Sequence, residues 1–546
     1  MADHLPQSLN WHKLSGALAL ALISLTSSAS ALASTTSAKL DAGLVKTEQG
    51  LLQGIVDGDL VHFRGIRYAA PPVGALRFAP PQLPARWRGV RAANTFGPIC
   101  PQGKEFNEDC LFLNVSAPKA LKQGTRLPVM VWLHGGGLSV GTPNTYDASR
   151  LVRQGHVVFV GVEFRVNAFG FFGIKGLPGS GTFGFQDQQA ALRWVKQNIS
   201  AFGGDPNNVT LFGESGGGVS TCAQVVSPKA RNLFQRAIIQ SGTCSISWPK
   251  HAVGIDLPAG SFFQPLSETE ALGVAAAARL GCGDGSDAAR IACLRKLPSE
   301  KIASEGGTFT FAAFNTPTLP LDPQAALASG KYHRVPIMIG FTRDESRAMA
   351  SGALLTGKPI TDQNYTRLIG EAFGPKAGSV LSRYPLQRFG DGASAWSAAN
   401  TDRMFACPAL YDALNLSSHN RTFVYEFADP NGIGLVPFLP TMKSGASHSS
   451  ELPLLFDLAD GPIDLTNGKK IARSPVQEAL AKTMIGYWTD FARSGDPNSS
   501  RKPTWPPFRR SGSRKVLVLA PGSDRLRTTD AYSSHRCDFW EEMIVR

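Results

Sequence analysis

The sequence has no CxxC pair and no two histidines at metal-binding spacing, so neither a thiol redox centre nor a zinc site is written into it. It has no low-complexity block and no internal repeat, which leaves an ordinary globular chain of 546 residues, 43% hydrophobic and 18% charged. Beyond residue 33 no apolar run reaches the roughly 20 residues that a helical bilayer crossing needs. No nucleic-acid-binding motif is present. The net charge of +13 and the pI near 9.4 come from scattered lysines and arginines, with one dense patch at Arg509, Arg510, Arg514 and Lys515. That distribution predicts a basic surface rather than a polyanion partner.

The start of the chain is unlike the rest. His12 and Lys13 precede an apolar run over residues 14–25, and Ala31-Leu32-Ala33 supplies the small residues a signal peptidase accepts. Residues 1–33 therefore read as a signal peptide cleaved after Ala33, with residues 34–546 as a single domain in a secreted or periplasmic protein. Eight cysteines, an even count, suit disulfides in an oxidising compartment. Cys100 with Cys110 and Cys282 with Cys293 are close enough to staple short loops, each worth about 3 kcal/mol. Spacing alone does not fix the pairing.

Short β-branched apolar runs at residues 129–133, 157–162, 209–212, 236–240, 335–340 and 422–427 read as strands buried on both faces. Between two of them, residues 187–199 carry apolar side chains at helical spacing and stop at Phe202-Gly203-Gly204. Strand, helix, strand in succession predicts an α/β fold with a large, doubly wound, mostly parallel sheet. Residues 244–334, rich in Pro, Gly and Ser, show no clear strand and read as an insertion over the edge where such sheets place their ligands.

The run at 209–212 leads directly into Gly213-Glu214-Ser215-Gly216-Gly217 and then a plausible helix. This is the G-x-S-x-G elbow in the strand, turn, helix setting its chemistry requires: flanking glycines let neighbouring backbone approach a strained turn that presents the Ser215 hydroxyl. The run at 129–133 leads into His134-Gly135-Gly136-Gly137, a loop type whose amides donate to an oxyanion, each donor worth about 10²–10³ in rate. A serine nucleophile needs a base, and in this fold the chain order is serine, acid, histidine. Five histidines follow Ser215. His419 precedes the run at 422–427 and belongs at the opposite end of the sheet, and His535 reads as a solvated histidine in the polar tail. His448, in a Gly/Ser-rich loop beyond that run, is the candidate base. Asp344 and Glu345, both after the run at 335–340, are the candidate acids, and spacing does not choose between them.

With these residues in place the chain resembles the type-B carboxylesterases, the α/β-hydrolase family of cholinesterases, fungal lipases and bacterial p-nitrobenzyl esterases, closest in character to the last. Phe202-Gly203-Gly204 through Ser215-Gly216-Gly217 fits the family's serine signature. Glu108-Asp109-Cys110-Leu111 with Asn114 and Pro118 fits its second signature, with Phe112 where tyrosine or threonine is usual. Agreement runs from Gly65-Ile66-Arg67-Tyr68-Ala69 to Cys537-Asp538-Phe539-Trp540. The resemblance implies a Ser215, Glu345, His448 triad, with Ser346 replacing the glycine that usually follows the acid. It implies an oxyanion hole from Gly136, Gly137 and Gly216. It also implies disulfides Cys282–Cys293 and Cys407–Cys537, with Cys110 joined to Cys100; Cys222 and Cys244 are left to pair with each other.

The implied activity is hydrolysis of small-molecule carboxylic esters through an acyl-enzyme, with no cofactor and no metal. Only nine residues separate Cys100 from Cys110 and none is tryptophan, which argues against a cholinesterase. Trp248 resembles an acyl-pocket residue of the family, and a core position fits it equally well. Glu163 stands where the family usually has asparagine. Two rival functions remain. One is a lipase, with the apolar segment 433–439 as pocket wall or lid. The other is a non-catalytic, neuroligin-like binding protein, which would lack the nucleophile that this chain keeps.

Overall fold

The computed structural model of the protein describes Leu40 and residues 42–544, except 122–123, 440, 460, 500–501 and 523–525, so the expected signal peptide lies outside the described residues. The main sheet has eleven strands among them. In chain order these are β1 (Ile55–Asp57), β2 (Leu60–Arg67), β3 (Phe112–Pro118), β4 (Leu127–Leu133), β5 (Val158–Val162), β6 (Gly204–Glu214), β7 (Arg236–Gln240), β8 (Ile337–Thr342), β9 (Thr422–Phe427), β10 (Val516–Leu519) and β11 (Arg527–Thr529). Across the sheet they run β11-β10-β9-β8-β7-β6-β4-β5-β3-β2-β1. Every pair from β10 to β5 is parallel, and the pairs at both edges are antiparallel. The six expected runs all form strands of this sheet.

Period-two alternation sorts the side chains of β4 onto two faces. Val129, Val131 and Leu133 join one apolar core, while Met130 and Trp132 join the other. The first core is covered by α1 (Phe183–Asn198), α2 (Gly216–Val226) and α3 (Cys407–Leu416), the second by α4 (Pro475–Ser494). Burial on both faces explains why the central strands read as unbroken apolar runs, each fully buried Val, Leu or Ile contributing about 1.5–3 kcal/mol. The antiparallel strand β3, between β5 and β2, instead alternates buried and half-exposed residues, as an antiparallel strand with one wetter face does.

Residues 244–334 do contain strands, all outside the main sheet. Ser247–Trp248 pairs with Gly260–Ser261, and Phe263–Pro265 with Ala312–Phe314. Pieces of two or three residues are too short to leave a periodic signal. Four disulfides close: Cys100–Cys110, Cys222–Cys244, Cys282–Cys293 and Cys407–Cys537. The second ties α2 to the segment after β7, and the fourth ties α3 to the last helix, α5 (Cys537–Ile544).

Candidate active site

The central strand β6 ends at Glu214, and Ser215 turns the chain into α2 with φ 55° and ψ −122°. A left-handed serine costs on the order of 1–3 kcal/mol and persists only where its surroundings enforce it. Here the Ser215 N–H donates to Gln240 O of β7 at 2.9 Å, and its own carbonyl accepts from Val219 N–H at 2.9 Å, locking both sides of the turn. Gly213 is required by crowding, since a Cβ there would lie 2.5 Å from Gly217 O and 2.7 Å from Leu133 O.

The neighbouring strand β4 ends at Leu133, so the following glycine loop lies alongside the elbow. Gly136 and Gly137 have φ of 104° and 63°. A Cβ on Gly216 would approach Gly137 N to 2.8 Å, and one on Gly135 would lie 3.3 Å from Ser215 Cβ. The glycine loop and the start of α2 therefore meet beside Ser215. His134 faces away into the core. Its ring stacks on Phe164 at 4.2 Å, its Nδ1 lies 2.9 Å from Gly135 O, and burial pushes its pKa down to about 4.

His448 Nδ1 lies 2.6 Å from Glu345 Oε2, with Glu345 fully buried. The Thr342 N–H donates to Glu345 Oε1 at 2.8 Å and the His448 N–H to Glu345 O at 3.2 Å, so the acid is held at three points. Asp344 turns the other way: its carboxylate accepts from Ala446 N–H at 3.0 Å and pairs with Arg347 at 3.1 Å. Of the two adjacent carboxylates, Glu345 is the one that reaches His448.

The site holds more acid than the sequence suggested. His448 Nε2 lies 3.3 Å from Glu214 Oε1, the buried carboxylate of the residue before Ser215, which also accepts from Ser449 Oγ at 2.6 Å. Glu451, also buried, accepts from Gln240 Nε2 at 3.2 Å. Burial alone would lower the His448 pKa, but Glu214 and then Glu345 outweigh it and carry it up to about 9. Burial raises Glu214, and it raises Glu451 to about 8 with help from the other two carboxylates. His448, Glu214 and Glu451 therefore titrate together rather than singly. Phe405 packs on the imidazole at 5.1 Å between centroids. Glu214 was visible only as the variable residue of the elbow, and nothing in the sequence marked Phe405.

Trp248 is half-buried, edge-on to Phe262 at 5.1 Å, and Phe262 lies 4.0 Å from where a Gly137 Cβ would stand. Trp248 also lines a 1420 Å³ cleft with Phe263 and Phe311. In segment 433–439, Ile433 is buried, Leu435 is exposed, and Ser351 Oγ donates to Pro437 O at 2.7 Å. Glu163 now has a physical role: Thr142 Oγ1 donates to its Oε2 at 2.7 Å and Cys100 N–H to its Oε1 at 3.3 Å, which ties the disulfide loop to the segment following the glycines. Burial pushes its pKa up to about 8. Cys222, Cys244 and Asp412 lie together, but the two sulfurs are bonded to each other.

One expectation is corrected. His535 is not a solvated tail histidine: it is buried, with Nδ1 2.5 Å from Asp402 Oδ1 and Nε2 3.4 Å from Glu426 Oε1. The turn between the short helix Ala531–Ser534 and α5 draws it under the sheet's edge, beside Cys537, whose disulfide to α3 fixes it there.

A doubly wound sheet whose central strand ends in a strained serine, with acid and histidine on loops after later strands, defines the α/β-hydrolase fold. The chain belongs to the carboxylesterase family, whose sequence model matches residues 41–540, and it is a carboxylic ester hydrolase. It is similar to the acylcarnitine hydrolase of Mus musculus, 32% identical with 90% of each chain covered. It is also similar to the para-nitrobenzyl esterase of Bacillus subtilis (strain 168), 33% identical over 87% of this chain and 94% of that one. Among solved structures a PNB esterase matches with a TM-score of 0.72 and 28% identity, over 92% of this chain and all of that one.

Proposed function

We propose that the protein cleaves small-molecule carboxylic esters in two acyl-transfer steps, with Ser215 as nucleophile, His448 as base and Glu345 as the acid that orients it. The observation that carries this reading is the 2.6 Å contact between His448 Nδ1 and the buried Glu345. With Nδ1–H donated to the carboxylate, Nε2 keeps the lone pair that accepts the Ser215 proton. Ser215 Oγ then bonds to the ester carbonyl carbon, and the oxyanion accepts from the amides of Gly136, Gly137 and Gly216. On collapse the carbon–oxygen bond to the alcohol breaks and the alcohol takes the proton from His448. Water, deprotonated by the same nitrogen, attacks the acyl-enzyme; the acid leaves and Ser215 regains its proton.

Trp248 and Phe262 beside the glycine loop favour an apolar or aryl group on the substrate, in keeping with the para-nitrobenzyl ester and acylcarnitine in the relatives' names. We also infer an exported protein, cleaved after Ala33, with residues 34–546 as one domain; the four disulfides suit an oxidising compartment. No helix among the described residues is long and apolar enough to cross a membrane. The test is a pair of isosteric changes. Glu345→Gln lets an amide favour the wrong tautomer and lowers kcat by at least roughly 10², whereas Asp344→Asn costs far less. Reversed losses in variants with unchanged thermal melts overturn the assignment of Glu345.

A further inference from the structure

Behind the loop that carries the acid lies a second pocket, of 360 Å³, whose wall includes Arg343, Arg347, Arg527 and Arg536. Its acidic lining is Asp344, Asp402 and Glu426, and each of these is already paired. Arg347 pairs with Asp344 at 3.1 Å, Arg536 donates to Asp402 at 3.2 Å, and Arg343 donates to Glu426 at 2.7 Å. His535 closes the inner end between Asp402 and Glu426. Arg527, on the edge strand β11, has no ion pair or hydrogen bond to its side chain among the described residues. One guanidinium is therefore left over and faces the same cavity as three others.

We propose that this pocket binds a small dianion of the phosphate or dicarboxylate kind, held by Arg527 together with Arg343, Arg347 and Arg536. Guanidinium groups present donors in a planar fork that matches such oxygens, and charge-assisted bonds of this type are among the strongest available at a half-exposed site. The paired carboxylates keep the arginines fixed, so the ligand meets donors already in position. His535 adds to the positive balance: burial lowers its pKa, but Asp402 and Glu426 outweigh it and hold it up to about 10. A volume of 360 Å³ admits an ion of this size with some hydration and excludes a polymer. The bound ion would bridge β11 to the loop after β8, where Asp344 holds Ala446 two residues before His448. The binding site does not rest on the catalytic reading, and its test uses no activity.

Thermal melts of the intact protein at pH 7 and constant ionic strength, with sodium phosphate, sulfate or succinate titrated against sodium chloride, decide the matter. The expected result is a rise in Tm that saturates at millimolar dianion and is absent with chloride. Arg527→Gln, at an exposed position without a partner, should raise the half-saturating concentration about tenfold, the loss of one charge-assisted contact. Arg231→Gln, in another basic cleft near residues 331–334, should leave that concentration unchanged. A rise that grows linearly without saturating marks a solute merely excluded from the surface and overturns the proposal. So does equal saturation in Arg527→Gln, or a loss of saturation in Arg231→Gln.

Discussion

Two imidazoles in this molecule, His535 buried and His448 nearly so, each sit between two carboxylates at nearly the same distances. His448 has Glu345 at 2.6 Å and Glu214 at 3.3 Å; His535 has Asp402 at 2.5 Å and Glu426 at 3.4 Å. Both pKa values rise, to about 9 and about 10. The surroundings differ in one respect that decides what each can do. Around His535 the carboxylates are answered by Arg343 and Arg536, so each carboxylate has a guanidinium as well as the imidazole. Around His448 no cation other than the imidazole itself pairs with Glu214, Glu345 or Glu451 among the described residues, and burial raises the pKa of Glu214 and carries that of Glu451 up to about 8. A carboxylate–histidine contact is therefore no mark of catalysis by itself. The His448 cluster differs in lying next to the strained Ser215, through Glu214, and to the glycine loop, and the proposed reaction rests on that difference.

The sharpest way to separate the two is to remove each imidazole. His448→Gln should lower kcat by about 10⁴ or more with little change in Tm, because a base acting together with its nucleophile is lost whole. His535→Ala should do the opposite, leaving kcat of the folded enzyme within about threefold but destabilising it by about 3 kcal/mol, as when one partner of a buried ionic network is removed. Thermal melts and kinetics on both variants check this. The His535 contribution also has a defined pH window. Its folded pKa is raised above the ordinary 6.5, so the stability it adds is complete below about pH 6.5 and is lost as the pH rises through 10.

A smaller effect sharpens the same contrast. Glu214 is the largest influence holding the His448 pKa up, so Glu214→Gln should move the acid limb of the kcat/KM profile to lower pH. An unmoved limb would mean that Glu214 is protonated throughout and lends His448 no charge. The smallest change is expected at Glu163. Burial keeps it protonated at neutral pH, so Glu163→Gln preserves most of the tie between Thr142 and the Cys100 loop and should alter kcat/KM less than about threefold at pH 7. A drop of tenfold or more would show that the carboxyl itself positions the glycine loop.

What could be read in advance follows the range of the interactions involved. The elbow at Ser215 and the loop at Gly136 and Gly137 are set by local backbone geometry, which glycine spacing records, and buried parallel strands record themselves as apolar runs. His448 could be reached by chain order. Spacing could not say which of Asp344 and Glu345 reaches His448, because Ala446 and Arg347 claim the aspartate. His535 was misjudged for a similar reason: its partners stand 133 and 109 residues away in the chain, and the polar residues around it give no sign that its ring turns inward. The antiparallel strand β3 escaped because alternate side chains along it are partly exposed.

The central claim is that Ser215 is the nucleophile of the reactive cluster. Peptide mapping by mass spectrometry after inhibition with an organophosphate tests it most directly, because the reagent records the attacking oxygen as a covalent bond. The expected result is one adduct per chain on Ser215, with Ser215→Ala folding normally, taking no label and hydrolysing no p-nitrophenyl ester. A stoichiometric adduct on another residue, or hydrolysis retained by Ser215→Ala, would contradict it.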